Sequence, residues 1–207
     1  MNQKNSLGLN SCFMDLDNPL ELFKIWMSDA EKEEINDPNA LSLATTNKNN
    51  EPSVRMILLK ELSSKGFIFY TNLNSPKSID LKNNPKASMC FHWKSLQRQI
   101  RISGSINQVS DNEADNYFNS RAYESRIGAW ASDQSKVMNE RKDLLRKIVN
   151  FKKKYQDEKN VPRPKNWSGW CLVPLIIEFW LGEQFRIHER LRYKKISNKW
   201  KKEILYP

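Results

Sequence analysis

Lys86–Val109 reads KASMCFHWKSLQRQIRISGSINQV, and its second half alternates. From Gln97 to Val109, Ile100, Ile102 and Ile106 fall on one side. Gln97, Gln99, Arg101, Ser103 and Ser105 fall on the other. This is the period of a half-buried strand. Lys86–Trp93 is a second β-type segment, and Lys94-Ser95-Leu96 between them is a short hairpin loop. Upstream, Ala40–Thr46, Ser53–Lys60 and Gly66–Thr71 carry similar patterns, joined by turn-like Asn47–Glu51 and Glu61–Lys65. Downstream, strands are expected at about 168–181, 184–195 and 198–206.

Helices frame these strands. Asn18 is an N-cap, Pro19 suits the first helical position, and Leu20, Phe23 and Met27 form a stripe over 19–32. A second helix is expected at 75–84. Ser110-Asp111-Asn112-Glu113 is a capping box opening a third towards Arg121. Ser125–Ser132 is a fourth. Val137–Tyr155 is a fifth, with Val137, Leu144, Ile148, Phe151 and Tyr155 as its apolar stripe, for the core or a subunit contact. Lys152–Asn166 reads as a surface linker. The fold class is therefore α+β, mainly β: a barrel or sandwich with peripheral helices. Residues 1–17 are expected as a flexible arm and 18–207 as a single domain.

The 207 residues are 39% hydrophobic, enough for a substantial core, and carry a net charge of +10. Such a balance favours anionic partners. The cations are spread among 24 acids with no isolated basic tail, which argues against nucleic acid. Cys12, Cys90 and Cys171 form no CxxC or metal-type spacing, so no metal is expected and a reducing, cytoplasmic setting is. The N-terminus lacks the apolar core of a signal peptide, and no run reaches transmembrane length, so no membrane association is expected. No two of the six glycines are separated by one residue, which excludes a GxGxxG loop, and no GxxxxGK[ST] loop exists. Any phosphate must be held by side chains and helix ends.

Four segments offer such groups. If Phe185–Tyr193 is a strand, Arg186, His188, Arg190 and Arg192 share one face. That row is either an anion site with His188 placed for chemistry or a solvated basic edge. Arg55 and Lys60 bracket the apolar run Met56–Leu59, which reads as buried on both faces. Ser75-Pro76-Lys77 opens a helix with an ammonium in its first turn, either a phosphate site or an ordinary capped helix. Tyr117, Arg121 and Ser125 lie on one face if their helix runs on through Ala122, and would cradle a phosphate. His92 reads as structural, and nothing pairs a nucleophile with a base.

Taken together these segments resemble the pyridoxamine 5′-phosphate oxidase family. The resemblance rests on Ile177-Glu178-Phe179-Trp180 followed, five residues on, by Arg186-Ile187-His188-Glu189-Arg190. Arg55–Lys60, Phe69-Tyr70-Thr71-Asn72, Arg98-Gln99, Tyr117–Arg121, Ser125–Trp130, Gln134-Ser135 and the closing Leu205-Tyr206-Pro207 follow in the family's order. It covers roughly 18–207 and implies an FMN-binding split β-barrel, a homodimer with each active site shared between subunits.

By the same resemblance, FMN is held by Arg55, Met56, Ile57, Leu58, Leu59, Lys60, Tyr70, Thr71, Lys77, Gln99, Gln134, Ser135, Trp180 and Arg190. Lys60, Tyr117, Arg121 and Ser125 take the substrate phosphate. Arg186 and His188 contact the substrate ring as the catalytic pair, and Arg192 has no role. The implied reaction oxidises pyridoxamine 5′-phosphate or pyridoxine 5′-phosphate to pyridoxal 5′-phosphate, with hydride passing to FMN and O2 reoxidising it to give H2O2. Another split-barrel flavoprotein with a different substrate is the alternative, and a basic nucleic-acid-binding protein a distant third. The chain departs from the family at Pro76, where a basic residue is usual, at Ile204, where arginine is common, and in an arm without an Arg-rich segment.

Overall fold

Ile100, Ile102 and Ile106 are buried in the computed structural model, which describes residues 4–207. They belong to β6 (Arg98–Gln108), which pairs antiparallel with β5 (Lys86–Trp93) from Lys86↔Ser105 to Trp93↔Arg98. β1 (Ala40–Thr46), β2 (Pro52–Leu58), β3 (Glu61–Leu62) and β4 (Phe67–Asn72) precede them, and β7 (Trp167–Leu181), β8 (Glu189–Ile196) and β9 (Lys199–Leu205) follow. The order is β2-β1-β5-β6-β7-β4-β3, with β8 on β7 and β9 on β8. Every pairing is antiparallel. The sheet curls into a split β-barrel around one main core.

β7 is the axis of this arrangement. One edge pairs with β6 along most of its length. The other takes β4 at Trp167–Leu172 and β8 at Ile176–Leu181. Between them the register shifts at Ser103/Gly104, where Gly104 faces Pro174 and Leu175 is left half-exposed. Such a bulge bends a strand and tolerates a proline. Gly104 is required for steric reasons: a Cβ there would lie 2.0 Å from the Val173 carbonyl oxygen.

α1 (Pro19–Glu33) plugs the barrel. Asn18 caps it by accepting the Leu20 N–H at 3.0 Å, and Pro19 opens it. Its fully buried residues are Leu22, Phe23, Trp26 and Ala30, so the core face is rotated from the expected Leu20-Phe23-Met27 stripe. Phe23 meets Phe67 and Phe91, and Trp26 meets Phe179, all edge to face.

The remaining helices are α2 (Pro76–Asn83), α3 (Asp111–Ser120), α4 (Tyr123–Ala131) and α5 (Arg141–Lys154). α3 opens with the expected capping box. It then stops at Ser120, because Arg121 and Ala122 are extended at ψ 148° and 144°. A continuous helix through Ala122, which would have put Tyr117, Arg121 and Ser125 on one face, does not form. α5 starts at Arg141 rather than Val137, whose side chain is solvent-exposed. Only the lower part of its stripe, Ile148, Phe151 and Tyr155, packs on α4 and the Phe118–Trp167 cluster.

The structure places three further segments. Of the arm over 1–17, Met1–Gln3 lie outside the described residues, while the rest packs on the barrel. Phe13 is buried, Trp26 donates to the Cys12 carbonyl at 2.7 Å, and Tyr193 donates to that of Leu16 at 2.7 Å. The segment after α5 is fastened rather than loose. Val161 is buried, Trp130 donates to the Pro162 carbonyl at 2.7 Å, and Arg163 pairs with Asp115 at 2.6 Å and Asp111 at 2.8 Å. The run Met56–Leu59 is not buried on both faces. β2 is the sheet's edge, so Val54 and Met56 are 68% and 63% exposed, while Leu59 is buried in the core and Ile57 packs against it half-buried.

Gly104→Ala tests the bend. The added methyl meets backbone, which has no rotamer to yield, so a loss of about 3 kcal/mol is expected. Urea denaturation should show a lower midpoint at unchanged slope; a wild-type midpoint would mean that the bend does not depend on Gly104.

Candidate functional site

A cleft of ≈ 540 Å³ opens where edge strand β2, the end of β4 and the start of α2 meet the loop after α4. Arg55, Met56, Ile57, Leu58 and Lys60 line one side. Tyr70, Thr71, Pro76, Lys77, Gln134 and Ser135 line the other. The loop is fastened by Gln134, whose Oε1 accepts from the Thr71 hydroxyl and the Asn72 N–H, both at 3.3 Å. Leu59, just past the end of β2, does not join this wall and is buried in the core.

The cleft is built for an anion. Lys77 is only 6% exposed, and its Nζ meets hydroxyls alone, those of Thr71 and Ser75 at 3.3 Å. Burial, with Arg55 nearby, holds its pKa below the ordinary lysine value. A buried ammonium without a carboxylate is costly unless an anion arrives. The start of α2 adds to this. The Ser75 hydroxyl donates to the Asn72 carbonyl at 2.7 Å and leaves the helix without a side-chain cap. Burial also lowers Arg55, whose Nη1 donates to Thr45 Oγ1 at 2.7 Å and to the Leu43 carbonyl at 3.2 Å.

Tyr70 joins the cleft to a second group. Its ring stacks on Tyr117 at 3.9 Å and lies parallel to Trp167 at 5.4 Å. Arg121 sits over Trp167 at 4.8 Å, placed there by the break between α3 and α4. Its Nη1 is buried without a partner among the described residues. Burial pushes Tyr70 up to about 12 and raises Tyr117, so both phenols keep their protons at neutral pH and can donate. Ser125 is exposed in the first turn of α4. Tyr117 and Arg121 thus meet at Tyr70 and Trp167, while Ser125 lies on the next helix instead of on one shared face.

The other expected residues lie elsewhere. Gln99, Trp180 and Arg190 are in register across β6, β7 and β8. His188 stands against Trp180 at 4.6 Å between ring centres. Its Nδ1 accepts the Glu183 N–H at 3.1 Å, which leaves the proton of the neutral ring on Nε2 as a donor. Arg190 is held by buried Glu178, at 2.8 and 3.0 Å, and by the Tyr206 carbonyl at 2.9 Å.

The expected strand Phe185–Tyr193 is corrected. Gln184–Arg186 forms a tight turn with Phe185 and Arg186 at φ 56° and 62°, and β8 begins only at Glu189. Arg186 and His188 are therefore displayed by a loop. Only Arg190 and Arg192 share a strand face, and Arg192 pairs with Glu203 at 2.6 Å instead of facing solvent alone.

None of Gln99, Trp180, Arg186, His188 and Arg190 lines the cleft. Tyr70 pairs with Gly169, whereas Trp180 lies eleven residues further along β7. A straight strand would separate them by about 36 Å. Sequence reasoning missed Trp167, left outside the strand expected from 168, and gave no role to Thr45 or Asp80. The cysteines offer no thiolate nucleophile: burial pushes Cys12 up to about 11 and raises Cys90 and Cys171.

Two family models match the chain. That of pyridoxamine 5′-phosphate oxidase covers residues 27–154, and that of the pyridoxine 5′-phosphate oxidase C-terminal dimerisation region covers 167–207. The pyridoxine/pyridoxamine 5′-phosphate oxidase of Pelagibacter ubique is 61% identical over 100% of both chains. That of Bartonella henselae is 47% identical over 98% of this chain and 99% of its own. Among solved structures, PhzG from Burkholderia lata 383, in complex with tetrahydrophenazine-1-carboxylic acid, superposes with a TM-score of 0.89 at 29% identity. The match covers 95% of this chain and 96% of that one. An FMN-binding protein of Nostoc punctiforme has the same fold, with a TM-score of 0.73 at 16% identity, over 94% of this chain and 100% of its own.

Lys77→Met should stabilise the ligand-free protein by about 1–2 kcal/mol, since it removes an unpaired buried charge. The sign with pH follows. The folded-state pKa lies below the unfolded value, so the unfolded state binds more protons at high pH and wild-type stability rises there. The advantage of the variant should shrink as pH climbs through the folded pKa towards 10.5. Thermal melts of both proteins across pH would read this; an advantage that grows with pH would contradict it.

Proposed function

This chain belongs to the pyridoxamine 5′-phosphate oxidase family, and on that premise we propose that it oxidises pyridoxamine and pyridoxine 5′-phosphate to pyridoxal 5′-phosphate, with FMN as its cofactor and O2 as final acceptor. Bound FMN supplies the hydride acceptor, and its reoxidation by O2 releases H2O2. The observation that carries this reading is a pair of cations without a carboxylate partner: buried Lys77, which meets only hydroxyls in the cleft, and Arg121 above Trp167, whose Nη1 is buried without a partner among the described residues. Two such groups, linked through Tyr70, fit two phosphates: one on the flavin nucleotide and one on the substrate.

In this reading Arg55 and Lys77 take the flavin phosphate, and Gln134, Ser135, Thr71 and the β2 backbone side of the cleft hold the rest of the nucleotide. Leu59 contributes from the core behind. Lys60, Tyr117, Arg121 and Ser125 bind the substrate phosphate. Arg121 can offer a forked donor and Tyr117 a neutral phenol. This anchoring fixes where the reacting carbon sits, which is the main service such a protein can render. Arg186 and the Nε2–H of His188 orient the pyridine ring.

The separation along β7 supports a homodimer with shared sites. Gln99, Trp180, Arg186, His188 and Arg190 of one chain then complete the cleft of a second, and the C-terminal match to a dimerisation region agrees. The unpaired cysteines support a reducing, cytoplasmic setting. Among the described residues, no helix is long and apolar enough to cross a membrane.

The purified protein should be yellow, consume O2 and release H2O2 with pyridoxamine 5′-phosphate. A flavin-loaded protein inert towards both phosphorylated substrates would favour another split-barrel flavoprotein. Arg121→Ala should raise KM roughly tenfold to a hundredfold, the value of a hydrogen bond to a charged group. Arg186→Ala should lower turnover far more than Lys201→Ala. Mixing Arg121→Ala with Arg186→Ala under subunit exchange should restore about a quarter of wild-type activity, because each hybrid dimer holds one intact site. No recovery despite proven exchange would place both residues in one chain's site.

A further inference from the structure

Asp80 has no part in the reading above, yet it is a buried carboxylate beside the anion cleft. It lies on α2, three residues after Lys77, and is 8% exposed. The Thr45 hydroxyl donates to its Oδ2 at 2.7 Å. The same hydroxyl accepts from Arg55 Nη1 at 2.7 Å, and Arg55 Nη2 stands 4.0 Å from Asp80 Oδ2. Arg55 Nη2 also donates to the Ser53 hydroxyl. A relay thus runs from α2 through Thr45 on β1 to the guanidinium on β2.

By charge alone this arrangement is perverse. A carboxylate next to a phosphate site repels the phosphate. An arginine on an exposed edge strand, however, samples many rotamers and must lose that freedom to bind. Arg55 and Lys77 line the same cleft and repel each other there. A carboxylate that grips the far side of Arg55 offsets that repulsion and sets the side chain beforehand. Pro76 sharpens the requirement, because the first position of α2 offers no third cation.

We propose that Asp80 is a positioning residue of the anion site: through Thr45 it holds the Arg55 guanidinium in place beside Lys77 for the phosphate of the flavin nucleotide. The role rests on the flavin reading and extends it to a residue that touches no ligand. The two physical effects predict opposite signs. If Asp80 acts only as a charge, its neutralisation tightens binding. If it positions Arg55, neutralisation loosens binding, and only for a ligand that carries the phosphate.

Flavin-free protein titrated with FMN and, separately, with riboflavin reads this by flavin fluorescence. Asp80→Asn should weaken FMN at least tenfold and leave riboflavin unchanged. Thr45→Val should weaken FMN about threefold, again without effect on riboflavin. FMN affinity unchanged or tightened in Asp80→Asn overturns the proposal. So does an equal loss for both ligands, which marks a general packing defect. Should Asp80→Asn fail to fold, Thr45→Val decides by the same criteria. Wild-type protein that binds neither flavin overturns the flavin reading itself, and this role with it.

Discussion

The fifteen residues of β7 carry the fold and the placement of its chemistry. Because β6 covers one edge of this strand, its other edge must be shared between β4 and β8. β4 brings Tyr70 and Thr71 to one end; β8 and the turn before it bring Arg190, His188 and Arg186 to the other. The separation of the two halves is thus a property of the backbone ladder, not of any side chain. The bulge at Gly104 and Pro174 bends β7 between them and lets a single strand serve both halves of a curled sheet.

Within that frame, charge is used in two ways. Glu203, Asp111 and Asp115 neutralise arginines that hold strands and segments together, and Glu178 holds Arg190. Lys77 and Arg121 are desolvated without such partners. The folded chain therefore carries two such cations at places joined by the Tyr70 ring, and the two phosphates of the proposed ligands would offset them. Function here is opposed to the stability of the empty protein, a common trade at binding sites.

Much of this was legible from residue order. Alternation located β5 and β6, and Asn18, Pro19, Ser110 and Glu113 marked helix starts through local bonds that need no tertiary context. What escaped depended on distant partners. The break at Arg121 has no glycine or proline to announce it; Tyr70 and Trp167, far away in sequence, hold the residues around it. The turn at Phe185–Arg186 uses left-handed backbone at residues that rarely adopt it, so the alternation of Arg186, His188 and Arg190 could not be distinguished from a true strand. The run Met56–Leu59 reads the same whether its outer face is covered by its own chain or by another. The cleft residues were found through family motifs, while Thr45 and Asp80 act behind them and carry no motif.

Edge strand β2 has a consequence for the life of the protein outside its assembled form. Val54 and Met56 project from an edge whose outer backbone groups meet no neighbouring strand among the described residues. Such an edge is a template on which any extended apolar peptide can add. A newly made chain is therefore exposed to misassembly for as long as that edge stays open.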